Sequence, residues 1–549
     1  MRPSHAWSLA IAVAVALAGG AAGQETARVA DDFVLAEPAP PVPEPLASAL
    51  GGIEAEALAA RIAFLASPAL EGRGLGSRGL DAAAEYAASA LAAAGIPPLL
   101  EAGKPDGGRA RYFQPVPIRA ITGFAGEVAA ETSRGGVFGR RSFSSGVDCV
   151  LSPLSPGGFT APVVFAGYGL REPRVGRDDY AGLGVRGKAV LVLRGVPEGD
   201  PWRDRALSDR YDAAKPDERW EAKRETAQAL GALALLAAEG EGFASDLAKG
   251  PPATSFFLPF DTPDAPLPLV RLSPAATRTL LAAAGLDASR ARDAKPRDLP
   301  DVTVTVRATG TEALAWSRNV IGFLAGSDAR LRDEAVVLGA HLDHLGRSGD
   351  VIYPGADDNA SGVSALLEIA RAFAAMPSRP KRSVVFAFWT GEEEGKFGSG
   401  HYVRHPAWPR ERTTAYLNLD MIGHPWLREE IHKLVADSGL PDGDAFLSKV
   451  ETTRFAEPGL PVDAPDLAAA LRWAGPASGM ALHLDRTDGT HGGSDYRDFA
   501  RARVPWIRFF GNFFPGYHEP ADRPEALDPT PVQRMARLAL ATAWRLADR

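Results

Sequence analysis

The sequence predicts an α/β protein: a mixed, mainly parallel central sheet flanked by helices, interrupted by an inserted β-rich α/β unit. Three observations carry this. From about residue 301 onward, strand-like and helix-like stretches alternate, the pattern of parallel strands joined by helical crossovers. Two strand-like runs, 335–340 and 383–389, are apolar almost throughout instead of alternating, as expected where both faces of a strand are covered. Between about 125 and 300 the texture shifts to short β-rich runs, and histidine disappears: of ten histidines, one is His5 and the other nine lie from His341 to His518.

Taken in order, the chain starts with Arg2 and His5, an apolar run from Ala6 to Ala18, and small residues up to Gly23 before Gln24. This reads as a signal peptide over 1–23, so the protein is expected to be exported, periplasmic or extracellular. The apolar run is shorter than the roughly 20 residues a membrane span needs, and no later segment is apolar enough, so the mature chain is expected to have no span. Cys149 is the only cysteine, which excludes an internal disulfide. Residues 24–50 hold five prolines (Pro38, Pro40, Pro41, Pro43, Pro45) and read as an extended tether. A first catalytic-domain part is expected over 51–124. It holds a helix marked by Leu58, Ile62 and Leu65, a second helix at 80–95 stopped by Gly95 and Pro97, and an edge strand at Tyr112–Val116.

The insert, 125–300, is expected to carry strands at 161–166, 188–193 and 267–272. Helices are expected at 222–239, with Ala227, Leu230, Leu233 and Leu236 on one side, and at 274–285. A shaping or lid role suits a block without imidazole. The main block, 301–549, opens with a strand at 302–306 and a partner at 319–324. It continues with strands at 335–340, 383–389, 414–419 and 504–510. Its helices are expected at 361–375, capped by Ser361, at 464–474 and at 531–546. The net charge of −8 on 549 residues, with no Lys/Arg run longer than a pair in the mature chain, argues against a nucleic-acid partner.

In open α/β sheets, ligands bind beyond the carboxyl ends of the strands. His341 opens HLDH (341–344) directly after one strand, and Glu392 and Glu393 lie in WTGEEEG (389–395) after another. Asp420 ends a third strand, Asp358 in GADDNASG (355–362) precedes a helix, and His518 follows the last strand by eight residues. Imidazole and carboxylate without thiol suit zinc, with manganese or cobalt as alternatives. Five such side chains exceed the three of a single open catalytic zinc; they fit two ions about 3.5–4 Å apart sharing one carboxylate. The HExxH and HxxEH helix motifs are absent, and no Ser-His-Asp pattern supports Ser361 as a nucleophile.

HLDH, GADDNASG, GEEEG, LNLDMIG and YHEPAD, in this order, resemble the M28 (aminopeptidase Y-like) metallopeptidases. The resemblance covers roughly 50–120 and 301–549, including LEGRG at 70–74. The Val163–Gly169 run with Asp179-Tyr180 and Gly187-Lys188 resembles a protease-associated (PA) domain inserted in the catalytic fold. The resemblance implies a zinc-dependent exopeptidase-like fold, two Zn2+ ions and peptide or protein substrates. Asp358 would bridge the ions, His341 and Asp420 would complete one, Glu393 and His518 the other, and Glu392 would be the general base. The implied activity is that of a secreted dizinc aminopeptidase hydrolysing N-terminal peptide bonds through a metal-bridging water. Alternatives on the same fold are glutaminyl cyclisation and carboxypeptidase or dipeptidase action. A non-catalytic receptor working through the PA-like unit is a third class, against which the full ligand set counts.

Several neighbours follow. Asp343 is expected to orient the His341 imidazole, and His344 to be a hydrogen-bonding neighbour. In the Glu392–Glu394 run, the frame set by Gly391, Gly395 and Gly398-Ser399 leaves Glu394 to solvent. Asp495, in HGGSDYRDF, and Tyr517, at the end of the aromatic run Phe509, Phe510, Phe513, Phe514, are expected to meet substrate.

Overall fold

Four parallel strands and one antiparallel neighbour form the scaffold of the unit that holds the motifs. In the computed structural model, β1 is Arg297–Leu324, β2 Ala335–His341, β3 Ser383–Trp389, β4 Thr413–Asp420 and β5 Trp506–Phe510. Residues 29–549 are described, apart from 101–108, 135–136, 152–156, 204–206, 208–209, 212–217, 241–242, 244–253, 258–266, 284 and 492. The expected signal peptide, 1–23, lies outside the described residues. The strand order is β5-β4-β2-β3-β1. β2 runs parallel to β3 and β4, and β4 to β5, while residues 320–324 of β1 run antiparallel to β3.

β2 and β3 are buried at every position, which is why their sequences are apolar without alternation. Gly339 in β2 is required by close approach: a Cβ there would meet the side chains of Trp389 and Tyr416. Those two side chains are joined by a hydrogen bond from Trp389 Nε1 to the Tyr416 hydroxyl, which in turn donates to Asn418 Oδ1. Helices α1 (Ala55–Leu65), α2 (Arg78–Ala93), α3 (Gly362–Ala375), α4 (Phe397–Arg404) and α5 (Pro529–Ala547) belong to the same unit. α3 packs against β2 and against α1, α2 and α5, so almost every one of its side chains is covered. Ser77 caps α2 by accepting from Leu80 N, and Asp528 caps α5 ahead of Pro529.

The chain divides into two units, Met1–Val116 with Ser317–Arg549, and Pro117–Trp316. The second boundary thus falls at Ser317 and not at 301, because Val302, Val304 and Val306 pack into the second unit's core. That unit has its own parallel set, 157–165, 189–193, 234–238 and 269–272, with Cys149–Leu151 antiparallel at the edge. No described helix is long and apolar enough to cross a membrane.

Four expectations are corrected. The tether over 24–50 is structured where described: Phe33–Val34 pairs with Leu482-His483, and Glu44–Gly51 is a helix with Leu46 and Leu50 buried. Pro45 in the first turn suits that helix start, and an i,i+4 leucine pair gives it a face to bury. The helix expected at 222–239 is a helix only over Glu221–Ala229; Gly231 turns the chain at φ 79, and Ala234–Ala238 is a buried strand. The strand pair 302–306 and 319–324 is one strand, β1. Ser361 does not cap α3; its hydroxyl donates to Asp357 O and accepts from Ile422 N.

Candidate active site

The carboxyl ends of β2, β3 and β4 open on one place, and the five expected ligand residues meet there. His341 is the last residue of β2 and Asp420 the last of β4. His341 Nδ1 donates to the backbone carbonyl of Asp343 at 3.1 Å, since a carbonyl only accepts. That turns Nε2 toward Asp420 Oδ1 at 3.3 Å and Asp358 Oδ1 at 3.5 Å. The other oxygen of Asp358 lies 3.1 Å from His518 Nε2, and Glu393 Oε2 lies 3.2 Å from the same nitrogen. Asp358 therefore faces both groups of donors, one oxygen to each.

The tight turn over 356–361 ahead of α3 fixes Asp358. Asp522 accepts from the amides of Asp357 and Asp358, at 2.8 and 3.1 Å. Asp357 is spent on Gly423 N and His424 Nδ1. Asn359 accepts from Gly362 N and donates to Leu419 O, tying the turn to β4. Asp343 does something other than expected. Its carboxylate lies 3.9 Å from His341 Nδ1 and instead accepts from Glu392 N and Glu393 N, at 3.1 and 3.2 Å. His341 is oriented by that residue's carbonyl, and the Glu392–Glu393 turn by its carboxylate.

Glu394 is exposed, as its frame implies. Glu392 is nearly buried and paired with Lys396 Nζ at 3.1 Å. His344 goes further than a neighbour's role. Its Nδ1 is 2.8 Å from Glu393 Oε1, and with Asp358 and Glu393 it forms one of two groups among the described residues able to hold an ion; His341, Asp358 and Asp420 form the other. Asp495 is wholly buried, and neither of its carboxylate oxygens has a hydrogen-bond partner among the described residues. The nearby Ser399 hydroxyl donates to Asp498. Tyr517 stacks on His518 with centroids 3.9 Å apart, and Phe513, more than half exposed, meets Tyr517 edge-on.

Burial and like charge dominate the electrostatics. Burial pushes Asp343 up to about 6, and burial with the Glu393 charge does the same to Asp358. Asp495 is pushed well above the carboxylate range by burial and by the charge on Glu392. Glu393 is held well below its usual range despite burial, by hydrogen bonds from His344 and His518. Burial alone would lower His341 and His518, yet Asp420 holds His341 well above 6.5, and Asp358 and Glu393 lift His518 to about 10. So many carboxylates around three imidazoles make a poor protein core and a good divalent-cation site. The donor set fits two ions.

Arg73 braces this arrangement. Its buried guanidinium donates to the carbonyls of Leu65, Leu342, Pro354 and Gly355, joining the α1 end to the segments after β2 and before the Asp358 turn. Burial lowers it to about 10, so it stays charged at neutral pH. Arg73→Met strips donors from four carbonyls and is expected to cost on the order of 3–5 kcal/mol, read by chemical denaturation. Unchanged stability would show those carbonyls to be satisfied otherwise.

Residues 319–543 match the model described as peptidase family M28. The chain carries an M28 peptidase domain. Among curated relatives, leupeptin-inactivating enzyme 1 of Streptomyces exfoliatus is 27% identical over 251 residues, 45% of this chain and 52% of that one. An aminopeptidase of Pseudomonas aeruginosa (strain UCBPP-PA14) is 44% identical over 95 residues, 17% of this chain and 16% of that one. The chain thus spans about half or less of the length of these relatives. An aminopeptidase from Aneurinibacillus sp. strain AM-1 superposes with a TM-score of 0.50 at 19% identity, over 91% of this chain and 95% of that one, a likeness of fold. The M28 match covers β2 to β5, most of α5 and all the candidate ligands.

Sequence reasoning passed over Arg73, Asp522 and Lys396. Arg73 and Asp522 sit inside LEGRG and YHEPAD, so the motifs held them without a stated role. Lys396 had no signal beyond standing four residues after Glu392.

Proposed function

We propose that this chain is an exported, zinc-dependent aminopeptidase acting on peptide or protein substrates. The observation that carries the reading is the placing of Asp358 between two donor sets, His341 with Asp420 and Glu393 with His518, with Glu392 beside them on the Asp343-held turn. The aminopeptidase relatives support the choice of reaction. His341 and Asp420 would hold one ion, Glu393 and His518 the other, and Asp358 both; Zn2+ suits this set, with Mn2+ or Co2+ as substitutes. Bound there, the ions would polarise the scissile carbonyl and acidify the attacking water. Glu392 accepts the proton as the water oxygen bonds to the carbonyl carbon, then delivers it to the leaving amine as the C–N bond breaks. Asp343 keeps the two adjacent glutamates on separate tasks by fixing both amides of their turn. Asp495 and Tyr517 are proposed to border the substrate, and the second unit is read as a PA-like insert that shapes access.

The test compares aminoacyl and N-blocked peptides with metal-replete and chelated protein. Cleavage of free-amine substrates alone, lost on chelation and restored by zinc, is the expected result. Cleavage restricted to N-blocked peptides sinks the aminopeptidase reading.

Metal loading itself should release protons. Nearby carboxylates raise both His341 and His518, His518 to about 10, so the metal-free chain favours protons on these imidazoles. Their contribution to folding is full below about 6.5 and lost as pH rises through the folded values, near 10 for His518. An ion takes the lone pair that the proton occupies, so affinity rises with pH. Calorimetry in buffers of different ionisation enthalpy is expected to find about two protons released per chain at pH 7. Zero release would contradict the assignment of these two ligands.

A further inference from the structure

Lys396 stands where the 389–395 loop turns into α4, with φ at 61, the left-handed region that a lysine seldom adopts. Its ammonium reaches back to Glu392 Oε1 at 3.1 Å, and both side chains are about nine-tenths buried, 9% and 10% exposed. A cation this far from solvent is costly to keep, and this position would hold an apolar side chain at less cost. The other cation near the ligands, Arg73, donates to four backbone carbonyls and braces the framework. Lys396 instead meets the group that would handle the proton.

Its place on the base decides which half of a substrate it can meet. To protonate the leaving amine, Glu392 must come within hydrogen-bond reach of that nitrogen, roughly 2.6–3.2 Å. Lys396 therefore borders the half of the substrate on the leaving side of the scissile bond. An α-carboxylate on the first leaving residue is two bonds from the nitrogen, which puts its oxygens about 3 Å from it. That is within reach of an ammonium already 3.1 Å from the base.

We propose that Lys396 binds the free α-carboxylate of the leaving residue, so that the site takes dipeptides in preference to longer or C-terminally blocked peptides. The proposal rests on Glu392 being the base. Lys396 is then a specificity-determining residue.

The test uses metal-replete full-length protein with a dipeptide, its C-terminal amide, and a tripeptide sharing the first two residues. Wild type is expected to show kcat/KM at least tenfold higher on the free dipeptide than on either other substrate. Lys396→Met should bring that ratio below threefold, and Lys396→Arg should restore part of it. To separate binding from any disturbance of the turn by the Met variant, binding is read by calorimetry in Glu392→Gln. There the free dipeptide is expected to bind at least fivefold tighter than its amide, a difference lost in Glu392→Gln/Lys396→Met. Equal kcat/KM on dipeptide and amide in wild type overturns the proposal, as does a preference that survives Lys396→Met. Wild-type turnover by Glu392→Gln would instead sink the role of the base.

Discussion

Glu392→Gln is expected to lower kcat by about 10²–10⁴-fold while leaving the fold and metal content as they are. The substitution keeps the shape of the side chain and removes its ability to accept a proton. The backbone anchors that set its position, Glu392 N and Glu393 N on the Asp343 carboxylate, do not involve the replaced atoms. Glu393, which faces His344 and His518, keeps its partners. A loss of rate with metal content held, by elemental analysis, separates proton transfer from ligation. A rate equal to wild type would place the base elsewhere, and Asp495 would be the next carboxylate to test.

Asp358→Asn is expected to remove both metal sites in effect and with them activity, by about 10³-fold or more. Each oxygen of Asp358 faces a different donor group, so no other single change touches both. Zinc per chain at saturation should fall from two to one or fewer. The stability of the chelated protein should move the other way. Burial and the Glu393 charge raise Asp358 to about 6, so its carboxylate form opposes folding. The metal-free wild type is most stable with this group protonated and loses that contribution as pH climbs from about 3.8 to about 6. The neutral Asn variant escapes the loss, and its chelated form is expected to melt higher than chelated wild type at pH 7. A lower melting temperature would mean that the contacts of Asp358 with the imidazoles outweigh its burial.

The ends of β2 and β3 were legible because strands covered on both faces leave near-continuous apolar runs, with His341 where the first stops and Glu392 three residues past the second; Asp420 ends the more mixed β4. Asp358 and His518 were legible by their places before a helix and after the last strand, and their roles only through the motifs, since turns without periodicity carry no other mark. Residues 234–238 were misread because an Ala/Leu run serves a buried strand and a buried helix equally; only Gly231 betrayed the break. The 24–50 stretch misled through its prolines, although Pro45 suits a helix start as well as an extended chain. The roles of Asp343 and His344 depended on which atoms turn inward. Spacing places both within reach of the ligands, but only coordinates separate the Asp343 carbonyl, which meets His341, from its carboxylate, which meets the turn.

That double use of Asp343 sets how this loop can vary. Glu392 and Glu393, the proposed base and one proposed ligand, ride on adjacent amides clipped to one residue two positions after His341. These two hydrogen bonds tie the 389–395 loop to the segment that follows β2. An insertion in that loop would displace base and ligand together, so lengthening it offers no route to a chain that keeps its metal and loses its catalysis. Exchanging the Glu392 side chain itself, one atom group on an otherwise intact frame, is the more direct route to such a chain.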